Sequence, residues 1–231
     1  MDFNTLSPIS NRLVESIESS HYQSLGRKII LHTKQSTPNL DGVSIAIFGV
    51  LETRNSVDHI GQSFELSEVR KSFYSLFPGN WNTSIADLGD IKNGASVEDT
   101  YFAVTDLIKT LLQNKIIPVV IGGSQDFTYA NYRAYDTVKP MINIVNVDKS
   151  FDLGDSSKPI TNSSYIGKVI LEKPYNLFNY TALGYQTYFN AQEEIDLMEK
   201  LYFEYYRLGD VNKNIKTAEP VLRDADLVTV D

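Results

Sequence analysis

The rhythm of apolar runs restricts the fold of this chain more than any other feature. Residues 42–51 (GVSIAIFGVL) form a short run rich in Val and Ile, the composition of a strand buried on both faces of a parallel sheet. Further runs of this kind, at 84–88, 116–121, 141–147, 176–183, 205–208 and 226–231, are read as strands. Between them lie stretches with helical spacing. Leu66, Val69, Phe73 and Leu76 predict a helix over 65–76, stopped by Pro78-Gly79. Ser96-x-x-Asp99 has the form of a capping box ahead of the stripe Tyr101, Val104, Leu107, Ile108, Leu111 and Leu112. Strands alternating with helices predict an α/β fold, a three-layer αβα arrangement around a doubly wound, mostly parallel sheet.

The 231 residues, 42% of them hydrophobic, suffice for one sizeable core. One domain is therefore expected over 1–231, with residues 1–40 as an N-terminal extension carrying a helix. The last run ends on a strand with no helix after it to cover the sheet, as expected of a domain truncated at its C-terminus. A net charge of −8 without a dense run of either sign disfavours nucleic acid and anionic lipid as partners. No apolar stretch approaches the roughly 20 residues that cross a bilayer. The absence of cysteine excludes disulfides and thiolate metal sites and fits a cytoplasmic location.

In an open α/β sheet, ligands gather at the carboxyl ends of strands. Three such places carry polar residues: Gly122-Gly-Ser-Gln-Asp126, Asp148-Lys-Ser-Phe-Asp152, and Asp231 after Leu227-Val-Thr-Val. Asp148 and Asp152 lie four apart in a loop that could fold both onto one centre, where a hard cation would suit them. The bland alternative is that Gly-Gly makes a tight turn and each Asp caps a helix.

Those three segments, in that order, resemble the Gly-Gly-Asp-His-Ser, Asp-Ala-His-x-Asp and Ser-Phe-Asp-x-Asp motifs of the arginase (ureohydrolase) superfamily. The strand Ala46–Val50, the Glu68-Val-Arg70 segment and Leu183-Gly184 extend the resemblance. Phe151-Asp-Leu153 and Thr161-Asn-Ser-Ser164 are most similar to the formimidoylglutamase branch. The resemblance implies an arginase-like fold, homo-oligomers, a small amidine or guanidine ligand, and two manganese ions that activate water against the central carbon of that ligand. It also implies metal-ligand positions at Gln125, Asp148, Asp152 and Asp231, with Gln125 and Ser150 standing where the family has histidine. The chain has only three histidines, His21, His32 and His59, all ahead of the motifs and read as surface or capping residues.

One weak manganese site or none is therefore expected, and the catalytic residues stay unassigned. Lys149 offers a different outcome, an ammonium that neutralises Asp148 and Asp152 in place of a metal. The favoured expectation is a catalytically weak or inactive family member with a binding or scaffold role. The alternative is a metal-dependent hydrolase of C–N bonds in linear amidines such as N-formimidoyl-glutamate. The cluster Tyr202, Phe203, Tyr205 and Tyr206 is read as core or subunit interface rather than a stacking platform.

Overall fold

The computed structural model describes residues 3–62, 64–155 and 157–231. Its chain divides into two compact units, Met1–Arg54 with His59–Ser124, and Asn55–Asp58 with Gln125–Asp231. Backbone pairing forms two sheets, so the α/β class with mostly parallel strands holds while the single sheet expected from the rhythm is drawn as two.

In the first unit β3 (Ile45–Val50) is flanked by β4 (Ile85–Ile91) and β5 (Ile117–Ile121), both parallel to it. Its apolar run is buried almost throughout, as a central strand requires. Two strands of two residues each, β1 (Leu6–Ser7) and β2 (Ile30–Leu31), add to β4, the first antiparallel. Among the described residues β5 pairs on one side only, which accommodates Pro118; Ile117 is 61% and Val119 39% exposed.

Helix α1 (Asn11–Glu18) begins at Ser10, whose hydroxyl accepts from the Leu13 amide, and buries Leu13 and Ile17 against Tyr74 of α2 (Ser67–Tyr74). The helix foreseen over 65–76 is thus present in slightly shorter form. α2 also delivers Arg70 to the floor of the unit. That guanidinium donates to Asp87 (2.8 and 3.2 Å), to Asp90 (2.7 Å) and to the Gly89 carbonyl (3.0 Å). His32, read from the sequence as a surface or capping residue, is buried, its backbone N–H on the Asp87 carbonyl and its Nδ1 2.8 Å from the Leu88 carbonyl.

Helix α3 (Val97–Gln113) starts with the expected capping box: Ser96 Oγ accepts from the Asp99 amide (3.2 Å) and the Asp99 carboxylate accepts from the Ser96 amide (2.8 Å). Ser96→Ala is expected to cost about 1 kcal/mol in chemical denaturation, and an unchanged midpoint would show that the cap is idle.

The second unit is an all-parallel sheet in the order β8-β7-β6-β9, with β6 (Ile142–Val147), β7 (Leu177–Tyr185), β8 (Glu204–Arg207) and β9 (Leu227–Val230). From β6 the chain steps outward to β7 and β8, then returns to the other side of β6 as β9. The strand order therefore reverses between β6 and β9, the place where open α/β sheets hold ligands. Helices α4 (Phe127–Arg133), α5 (Tyr165–Leu171), α6 (Gln192–Lys200), α7 (Leu208–Lys213) and α8 (Ala218–Arg223) fill the connections. Val145 of β6 and Leu183 of β7 pack with Ala218 of α8 on one face. Among the described residues no helix is long and apolar enough to cross a membrane.

Candidate functional site

The loop after β6 is shaped by its own sequence. Phe151 and Leu153 are buried, and Phe151 stacks on Tyr185 with ring centroids 5.0 Å apart. Between them Asp152 takes a left-handed backbone conformation (φ +53°), one that Asp tolerates better than most residues. The Phe151 amide donates to Asn190 Oδ1 (2.8 Å), and the Ile166 amide at the start of α5 donates to the Asp152 carbonyl (3.1 Å). At Gly154 (φ +47°) a Cβ would meet Ser164 at 2.4 Å, so only glycine lets the loop lie this close to α5.

These contacts bring Asp148 and Asp152 onto one centre. Ser150 sits between them, its hydroxyl 2.8 Å from Asp152 Oδ1 and 3.4 Å from Asp148 Oδ2. Asp148 also accepts from the Lys149 and Ser150 amides. Asn146 Nδ2 reaches Asp152 Oδ2 at 3.4 Å and Tyr180 Oη at 3.3 Å. Both carboxylates are at least nine-tenths buried. Burial, then the charge of Asp148 and more distantly that of Asp231, push the Asp152 carboxyl well above the ordinary carboxylate range, against the opposing Ser150 hydrogen bond. The Tyr165 and Tyr180 hydroxyls are pushed up in turn, by burial first and then by Asp152. A cation held here would offset the charge of this buried carboxyl pair.

The other two residues singled out from the sequence lie on the β9 side. Val147 pairs with Val230, and the Asp231 amide donates to the Val147 carbonyl (3.2 Å). Asp148 and Asp231 therefore leave the ends of adjacent parallel strands, about 4.8 Å apart in strand spacing. Gln125 turns its amide nitrogen to Thr229 Oγ1, and Thr128 Oγ1 lies 2.9 Å from that same hydroxyl. Among the described residues no three histidine, cysteine, aspartate or glutamate side chains converge closely enough to hold an ion.

Lys149, offered from the sequence as one alternative to a metal, has its ammonium 5.6 Å from the centre of the Phe189 ring, and its carbonyl accepts from the Gln186 amide and from Asn190 Nδ2. Two contributors escaped notice in the sequence, Ser150 as a bridge and Asn146 as a donor. The period of two along β6 could have flagged Asn146, since it shares a face with the buried Ile142 and Ile144.

The Arginase family profile matches residues 43–230. The formimidoylglutamase of Staphylococcus carnosus is 26% identical over 212 residues, covering 88% of this chain and 64% of its own length. That of Macrococcus caseolyticus is 28% identical over 147 residues, covering 62% and 46%. The chain thus spans about half to two thirds of the length of the curated relatives it matches. Among solved structures, a Trypanosoma cruzi formiminoglutamase with Mn2+ superposes with TM-score 0.71 at 17% identity, over 82% of this chain and 69% of that one. Bacillus subtilis formimidoylglutamase gives 0.70 at 18% identity over 84% and 66%, and agmatine ureohydrolase of Thermoplasma volcanium 0.67 at 17% over 94% and 73%. At such identities these likenesses establish the shared fold alone. The profile, by contrast, runs through every strand from β3 to β9 and through the segments 122–126 and 148–152, and by it the chain belongs to the arginase family.

Proposed function

We propose that the chain acts in metal-dependent hydrolysis of a C–N bond in a linear amidine of the N-formimidoyl-glutamate type. The observation that carries this reading is the convergence of Asp148 and Asp152 on the Ser150 hydroxyl, at the strand-order reversal of a sheet whose curated relatives are formimidoylglutamases. In this reading Asp148, Asp152, Asp231 and the Gln125 carbonyl are oxygen donors to one hard cation, Mn2+ by analogy with the relatives solved with it. Such a cation supplies the charge that lowers the pKa of water and steadies negative charge as the bond breaks.

The chain's own residues do the positioning. Ser150 and Asn146 hold the Asp152 carboxylate in one orientation, and Tyr180 fixes the loop by donating to the Phe151 carbonyl (3.0 Å). Phe151, Tyr165 and Tyr180 exclude bulk water around Asp152, which strengthens every charge interaction there. A cytoplasmic location and a homo-oligomer belong to the same reading.

A second reading, a family member retained for binding or scaffolding, draws on the replacement of both histidines by Gln125 and Ser150 and on the engagement of Gln125 with Thr229. The kinship favours the first. Protein purified with Mn2+ and assayed on a panel of amidines and guanidines is expected to release formamide or urea in a metal-dependent manner, abolished in Asp148→Asn. Turnover no greater than in that variant would establish the second reading instead.

A further inference from the structure

A cavity of about 570 Å3 opens at the amino ends of β6, β7 and β8, the opposite end of these strands from Asp148. It falls in the size range of small-molecule sites. Its floor is a polar row that strand register places on one face. Asn143 of β6 pairs with Asn179 of β7, and Thr181 of β7 pairs with Glu204 of β8.

The row is hydrogen-bonded within the protein. Asn143 Nδ2 donates to the Asp224 carbonyl (3.0 Å), Asn179 Nδ2 to Thr181 Oγ1 (3.3 Å), and the Thr181 hydroxyl to Glu204 Oε2 (3.2 Å). Glu204 and Asp224 line the same space and give it negative charge. The walls are aromatic: Phe178, Tyr202, Phe203 and Tyr206, with Tyr202 91% exposed. No lysine, arginine or histidine is among the described residues that line the cavity.

Aromatic faces and two acidic residues, with no basic one beside them among the described residues, complement one kind of ligand, a cation bearing N–H groups. We propose that this cavity is a binding site for a primary alkylammonium ion, separate from the carboxylate centre at the other end of the strands and independent of the hydrolase reading. The ammonium would donate to the Glu204 carboxylate while its alkyl chain lies along the Tyr202 and Phe203 rings. Tyr202 and Phe203, expected from the sequence to be core or interface, would then serve as the walls of a site.

Titration with n-butylammonium chloride, followed by calorimetry and by NMR of the protein, tests this. Saturable binding is expected, weakened about 10-fold in Glu204→Gln, which keeps a hydrogen-bond acceptor for Thr181, and about 3-fold in Tyr202→Ala, whose exposed ring the fold does not need. Asp148→Asn should bind as the parent does, and n-butanol or sodium chloride should not bind. Equal binding of n-butanol would reduce the cavity to an apolar cleft and overturn the proposal. So would affinity unchanged in both cavity variants, loss of binding in Asp148→Asn, or absence of saturation in the parent.

Discussion

Arg70→Met is expected to cost the fold about 3–5 kcal/mol in urea denaturation, the penalty for leaving a buried carboxylate without its cation. Asp87 is fully buried, and the Arg70 side chain is only 4% exposed. Burial draws the guanidinium's proton affinity down, yet Asp87 and Asp90 outweigh it, so the net direction is up and the arginine stays charged at any working pH. The Tyr74 hydroxyl and the Gly89 amide (2.9 Å) also donate to Asp87, but both are neutral and cannot balance its charge. Arg70→Lys keeps the charge and loses the fork, so an intermediate loss is expected. Adding Asp87→Asn to Arg70→Met should recover part of the loss, since the two sites are coupled through direct contact. A loss below about 1 kcal/mol in the single variant would mean that water enters to solvate Asp87 and that the network is looser than its geometry.

Asp152→Asn should move activity and stability in opposite directions. Within the hydrolase reading it removes a cation donor, and turnover is expected to fall at least about 100-fold, the upper end of what losing a supporting residue costs a metal site. The metal-free protein should become more stable at neutral pH. The Asp152 carboxyl has a folded-state pKa above its unfolded value of 3.8, so the folded chain binds that proton more tightly than the unfolded one. Its contribution is therefore most favourable at low pH and declines as pH rises from 3.8 through the raised value, leaving a net cost above it. Asparagine carries no such charge, suits the left-handed backbone at this position, and should flatten that slope. Each kcal/mol recovered reads as ~2–4 °C in Tm for a chain of this size. Scanning calorimetry in chelator at pH 5 and pH 8 checks it: a gain at pH 8 that shrinks at pH 5 is the expected pattern, and equal or lower Tm at pH 8 would contradict it.

Local chemistry made much of the fold legible beforehand. The runs over 42–51, 141–147 and 226–231 became β3, β6 and β9 with boundaries shifted by at most three residues, and the Ser96 box opened α3 where expected. β1 and β2 escaped because two residues carry no period, and they exist only through pairing with β4. In the site, Asp148 and Asp152 were foreseen to meet because four residues in a loop can close on themselves. Ser150 was read only as a missing ligand, since its bridge depends on the turn that Phe151 and Leu153 impose by burying themselves. The Arg70–Asp87 pair joins residues 17 apart, and the polar row of Asn143, Thr181 and Glu204 spans three strands. Neither is visible without register.

Each sheet also ends on a strand with one side unpaired among the described residues, β5 with exposed Ile117 and Val119, and β9 with exposed Val228 and Val230. Such margins present rows of amide and carbonyl groups beside sticky branched side chains, a ready template for like chains. A further strand laid along either margin could join the sheet without any described part of the fold having to open.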